Sequence, residues 1–270
     1  MRGGTSRGPY FLKSDLPEDI IKRDKILLAV MGSPDIRQID GLGGAEPVKS
    51  KVAIIDKSKE DGIDVDYYFA QVKIDKPIVD TKPSCGNILV GVGPYAIEKG
   101  LVDAKDGETS VIVRDKNTGM KIEQIVKTPN KMVQYEGDCF IDGVPTSGSP
   151  IKLKFLNIIG SQTEKLFPTG NSLDQIDGIN FTLIDCAVPM VIFKSSDLGL
   201  KDNETFEKLD GDKNLINKMD SIRIKIAKEV GLGDVVNSVI PKTAIVNSSK
   251  SADISSRYFM PWNCHPAYAV

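Results

Sequence analysis

The chain has 270 residues, enough for about two domains of ordinary size and a substantial core. Its 35 Lys and Arg against 37 Asp and Glu leave a net charge of −2, which argues against a protein built to grip nucleic acid. Apolar residues at 40% and charged residues at 27% are ordinary for a soluble globular protein, and Gly and Pro follow no period, which excludes collagen-like and low-complexity chains.

The opening stretch MRGGTSRGPYF predicts a short strand. A helix follows, starting near Pro17, Glu18 and Asp19, with Ile20, Ile21, Leu27, Leu28 and Met31 on its apolar side and Gly32 at its end. Residues 32–49, GSPDIRQIDGLGGAEPVK, are rich in turn formers and predict a long loop. Strands come next. Val52–Ile55 is a short apolar run, and Ile63, Val65, Tyr67 and Phe69 recur with period two. A helix is predicted from Gly86 to Glu98. Val111–Val113 and Ile122–Val126 flank DKNTG as a hairpin, and Ile151, Leu153 and Phe155 alternate with lysines.

PTGNSLDQIDG, from Pro168, reads as a linker. Strands are expected at 181–184 and 190–193, a helix over 215–230 closed by Gly231, and a strand at 243–246. Strands in hairpin-like succession with few helices predict an α+β fold of two lobes, 1–178 and 179–270. The chain ends at CHPAYAV with no terminal element expected after the last strand, so the second lobe reads as truncated.

The N-terminus has no apolar run resembling a signal peptide, and no stretch approaches about 18 uninterrupted apolar residues. A cytoplasmic protein without a membrane partner is expected. Four cysteines, Cys85, Cys139, Cys186 and Cys264, include no CxxC pair, and His265 is the only histidine; a disulfide scaffold and multi-His metal sites are excluded. Cys139 and Cys186 read as core strand residues. No role is assigned to Cys264–His265.

Gly4-Thr5-Ser6-Arg7-Gly8 formally matches a nucleophile elbow, but no strand precedes it and no helix directly follows it. A loop whose hydroxyls and N–H groups grip an anion is the better reading, with a plain turn as the alternative. Gly91-Val-Gly-Pro-Tyr-Ala96 resembles a dinucleotide motif but falls inside a helix, where small residues serve close packing. Ser84-Cys85-Gly86-Asn87 places Cys85 at a helix start, which favours a thiolate and the binding of a carboxylate; an inert half-buried cysteine is equally consistent with position alone. Lys51 opens the strand after the Gly-rich loop. Composition alone favours a solvated lysine over a desolvated base. Asp40–Gly44 reads as a mobile anion nest or an ordinary turn.

MRGGTSRGPYF, GSPDIRQIDGLGG, Ser50-Lys51-Val-Ala, Cys85-Gly-Asn-Ile, PTGN at 168–171, Asp185–Pro189 and Pro241-Lys242 together resemble the PrpF family. The resemblance implies a diaminopimelate-epimerase-like fold: two similar lobes, each a curled, largely antiparallel sheet around a central helix, with the active site between them. It implies cofactor-independent proton transfer on a small unsaturated di- or tricarboxylate such as 2-methylaconitate, moving a double bond or changing its cis–trans geometry, with no metal or nucleotide. Ser6, Lys51 and Cys85 match the family's active-site positions, and Thr5, Gly86 and Asn87 its carboxylate contacts. Arg7 stands where a lysine is common. Arg7, Gly43, Gly44 and Ser50 complete the expected substrate-binding set. A homodimer is left open. Two rival readings stand beside this one: a two-thiol racemase or epimerase using Cys85 and Cys186, and a non-catalytic carboxylate-binding protein.

Overall fold

The computed structural model describes residues 1–156, 158–201 and 204–266. The first residues fold back on themselves: β1 (Arg2–Gly3) pairs antiparallel with β2 (Ser6–Arg7). β3 (Tyr10–Leu12) then joins the first large sheet, parallel to β4 (Lys51–Lys57). Between them lies α1 (Ile20–Met31). Asp19 caps it by accepting from the N–H groups of Ile21 at 2.9 Å and Lys22 at 3.1 Å, and Gly32 closes it at a left-handed φ of +76°.

β4 pairs antiparallel with β5 (Val65–Val72). β5 also pairs with β6 (Val79–Asp80) and, in parallel, with β7 (Gly107–Asp115). β8 (Lys121–Thr128) and β9 (Lys152–Leu156) complete the sheet by antiparallel pairing. The period-two pattern over residues 63–69 predicts one buried face, but both faces are covered. Tyr67 and Phe69 pack with Ala53 and Ile55 in one core, whereas Ala70 and Val72 join Leu27 and Met31 of α1 in another. Alternation in polarity therefore understates how central this strand is.

The helix expected over 86–98 is two helices, α2 (Gly86–Leu89) and α3 (Val92–Glu98). Gln124 of β8, fully buried, separates them. Its Nε2 donates to Leu89 O at 2.7 Å, and its Oε1 accepts the Gly93 N–H at 2.6 Å. In an unbroken helix those two backbone groups would bond each other, so the carboxamide substitutes for the missing rung. Pro94 has no N–H to supply the next one. Close packing accounts for the small residues here: a Cβ on Gly91 would lie 2.4 Å from the Tyr10 hydroxyl.

The chain divides into two compact units near residue 157, earlier than the expected boundary at 178. The physical reason is that residues 160–166 and, after them, the segment read as a linker both hang on the second sheet. Gly160 N–H donates to Asp185 O at 2.9 Å, Asp185 N–H to Leu166 O at 2.8 Å, and β10 (Asp174–Ile176) pairs with β11 (Ile179–Cys186). β12 (Val188–Lys194) pairs with β11 and, in parallel, with β13 (Lys242–Asn247). Two antiparallel strands absent from the sequence reading follow, β14 (Ser255–Met260) and β15 (Asn263–Cys264). α4 (Phe206–Gly211) precedes α5 (Lys213–Glu229), whose Leu215, Ile216, Met219, Ile222 and Ile226 are buried against this sheet. Each such side chain contributes about 1.5–3 kcal/mol.

The fold is thus α+β with two mixed, largely antiparallel sheets. Cys139 and Cys186 are half-buried rather than core; Cys264 is the buried cysteine, and burial pushes its thiol up to about 11. Among the described residues no helix is long and apolar enough to cross a membrane.

Candidate active site

The β1–β2 hairpin lies directly on α2. A Cβ on Gly3 would fall 2.3 Å from Asn87 O, and one on Gly4 2.0 Å from Asn87 Oδ1. At the other end, a Cβ on Gly8 would fall 1.7 Å from Lys51 O. The glycines of RGGTSRG are therefore required by close backbone approach, and they wedge the hairpin between Asn87 and Lys51. The Thr5 N–H donates to Asn87 Oδ1 at 3.0 Å. The Thr5 hydroxyl is buried and finds no partner among the described residues. Ser6 is buried beside it, and Arg7 is exposed.

Lys51 begins β4 and is half-buried. It shares a sheet face with Ala53 and Ile55, the face covered by α2 and α3. Its Nζ donates to Gln71 Oε1 at 2.7 Å and stands 5.1 Å above the centre of the Phe69 ring. Gln71 is itself oriented by donating to Ser50 O at 2.8 Å and Pro47 O at 3.1 Å. No carboxylate pairs with Lys51 among the described residues.

Cys85 is the N-cap residue of α2, with extended φ and ψ of −143° and 103°. It is half-buried and packs on the core cluster that contains Phe69, the ring beneath Lys51. The Tyr67 hydroxyl donates to Cys85 O at 3.2 Å. Burial, reinforced by the neighbouring thiol, pushes the Tyr67 phenol up, so it stays a donor at neutral pH. Because α2 spans only one turn, the dipole of a long helix expected from the sequence is absent. What remains is local. The N–H groups of Gly86, Asn87 and Ile88 find no acceptor among the described residues.

The Gly-rich loop divides into two parts. Gln38, buried at a φ of +48°, organises it by donating to Ser50 Oγ at 2.7 Å and Ser33 Oγ at 3.1 Å and accepting the Ala45 N–H at 3.0 Å. Ser50 also donates to Val72 O at 2.9 Å and is fully buried, so its hydroxyl is engaged inside the fold and is not free for a substrate. Gly43 presses on the Gln38 carboxamide. A Cβ on Gly44 would fall 2.6 Å from Lys49 Cδ and 3.0 Å from Arg7 Nη2, so the loop comes close to the hairpin there. Sequence reasoning missed Phe69, Gln71 and Gln38. Gln38 reads as one more polar loop residue and Phe69 as an ordinary member of a strand, and Gln71 lies just past that strand's alternating pattern. Among the described residues no three His, Cys, Asp or Glu side chains are grouped to ligate a metal.

The family model described as PrpF protein matches residues 1–270. The chain belongs to the PrpF family. A (4E)-oxalomesaconate Δ-isomerase of Novosphingobium is 46% identical over all of this chain and 76% of its own length. A 2-methyl-aconitate isomerase of Shewanella oneidensis is 37% identical over 95% of this chain and 70% of its own. The crystal structure of a methylitaconate Δ-isomerase superposes with a TM-score of 0.86 at 35% identity, covering 99% of this chain and 76% of that one. This PrpF protein therefore shares that isomerase's fold.

Proposed function

We propose that this isomerase of the PrpF family moves a proton within a small unsaturated di- or tricarboxylate of the methylaconitate, methylitaconate or oxalomesaconate type, without a cofactor. The two lobes would follow the diaminopimelate-epimerase-like plan. One observation carries the reading. The hairpin wedged between Asn87 and Lys51 lies with Lys51 and Cys85 on the face of one sheet, and its Thr5 hydroxyl and the first N–H groups of α2 have no partner among the described residues.

The chemistry follows from that gathering. Shifting a double bond next to a carboxylate requires a proton to leave one carbon and another to arrive elsewhere on the allylic system. Negative charge develops on the carboxylate in between, and N–H and hydroxyl donors stabilise it. Thr5, Gly86 and Asn87 supply those donors, and Arg7 attracts the polyanion. Lys51 and Cys85 act as the proton-transfer pair, one taking the proton and the other returning it. Ser6 orients a carboxylate.

The test is exchange of substrate protons with deuterated water, followed by proton NMR, with ultraviolet absorbance reporting double-bond movement across methylaconitate, methylitaconate, oxalomesaconate and the aconitate isomers. Exchange on at least one, lost in Lys51→Ala and in Cys85→Ala, is expected. No exchange on any of them, or full exchange in both variants, refutes the reading; retention in Lys51→Ala alone moves the assignment to Cys85 and Cys186.

A further inference from the structure

The DKNTG turn that joins β7 to β8 does more than reverse the chain. An asparagine in a turn ordinarily bonds its own backbone nearby. Here Asp115 takes that role, its Oδ1 accepting the Asn117 N–H at 2.8 Å. The Asn117 carboxamide is thereby left for other segments. Its Oδ1 accepts the Phe69 N–H at 2.8 Å, and its Nδ2 lies 2.9 Å from Phe69 O, 2.7 Å from Thr81 O and 2.9 Å from Pro83 O. The other oxygen of Asp115, a carboxylate only 1% exposed, accepts the Ser84 hydroxyl.

Phe69 is the ring on which Lys51 rests, and Thr81 to Ser84 is the segment that delivers Cys85. One side chain therefore ties the platform of the first proton-transfer group to the approach of the second. Among the described residues, segment 81–85 bonds to the sheet through Asn117, Asp115 and Tyr67 and, at its start, through the Lys82 N–H, which donates to Asp80 Oδ1 of β6 at 3.0 Å. We infer that Asn117 and Asp115 are positioning residues that set the spacing between Lys51 and Cys85. This rests on the isomerase reading for its catalytic consequence but not for its structural one.

Two variants separate the inference from general stability. Asn117→Asp retains an acceptor for the Phe69 N–H but removes every donation toward Thr81 and Pro83. Ser84→Ala removes only the bond to Asp115, and Ser84→Thr restores a hydroxyl. The first readout is alkylation of each cysteine by iodoacetamide at fixed pH, resolved by peptide mass spectrometry. Cys85 is expected to react severalfold faster in Asn117→Asp and Ser84→Ala, with Cys139 and Cys186 unchanged and Ser84→Thr near the parent rate. The second readout is steady-state kinetics, where kcat is expected to fall roughly ten- to a hundredfold with KM little changed, because misplacement of a reacting group acts on the chemical step.

An unchanged Cys85 rate in both variants, or acceleration of all the half-buried cysteines together, overturns the inference. If Asn117→Asp does not fold, Ser84→Ala decides it alone. A parent with no isomerase activity but with selective loosening of Cys85 would refute the proposed function while leaving the positioning role standing.

Discussion

Two regions of this molecule are built from the same materials and end in opposite states. In the first unit, Thr5, Ser6 and the first turn of α2 present hydroxyl and N–H donors, and the Thr5 hydroxyl and that turn's N–H groups go unmet among the described residues. In the second, Ser161, Gln162 and Thr163 present a matching set, and the chain fills it with its own carboxylate. Asp185, fully buried, accepts the Ser161 hydroxyl at 2.6 Å, the Gln162 N–H at 2.8 Å, and the Thr163 N–H and hydroxyl at 2.8 and 2.9 Å. Burial pushes the Asp185 carboxyl up, yet those donors outweigh it and hold the group below its ordinary value. A cradle that is already occupied holds a fold together, whereas the donors unmet among the described residues are the ones proposed to hold a substrate. Composition does not separate the two; only the presence or absence of a built-in anion does.

The comparison is broken most severely at the open cradle's chemistry. Lys51→Ala and Cys85→Ala are each expected to lower isomerisation by roughly two to four orders of magnitude, with the double variant little worse than the worse single one, as steady-state rates would show. Next comes the occupied cradle. Asp185→Asn is expected to cost about 2–4 kcal/mol in denaturant unfolding, because one acceptor oxygen becomes a donor facing donors. The same group predicts a pH dependence. Its folded pKa lies below the unfolded value of about 3.9, so its contribution is complete above that value and is lost as pH falls through it toward the folded pKa. Thermal melts from pH 6 down to about pH 3 should show this loss in the parent and a weaker one in Asp185→Asn.

A smaller effect is expected at the helix break. Gln124→Leu leaves Leu89 O and Gly93 N–H without their present partners and should cost about 1–3 kcal/mol, measured by urea midpoint. Smallest is Thr5→Val. Because the Thr5 hydroxyl has no partner among the described residues, stability should not fall, while KM for a tricarboxylate should rise about tenfold. A loss of stability in Thr5→Val without a change in KM would make the open cradle structural and erase the distinction between the two regions.

Much of the frame was legible in the residues. Asp19 and Gly32 mark the ends of α1 because capping and left-handed closure are local properties, and the apolar stripe from Leu215 to Ile226 marks α5 for the same reason. The RGGTSRG, Ser-Lys and Cys-Gly-Asn motifs named the segments that meet at the candidate site. What sequence could not supply were relations across long separations. The break between α2 and α3 depends on Gln124, the engagement of Ser50 on Gln38, and the second unit's early start on Asp185 holding residues 160–166. In each case a buried polar side chain must satisfy backbone or hydroxyl groups from another segment, and that requirement is set by burial, which no local pattern encodes. The sequence by itself thus marked, through motif and family resemblance, which residues are candidates to bind an anion and move a proton; the tertiary structure decided which of those donors stay unpaired among the described residues, because only packing shows which ones the fold has already paired.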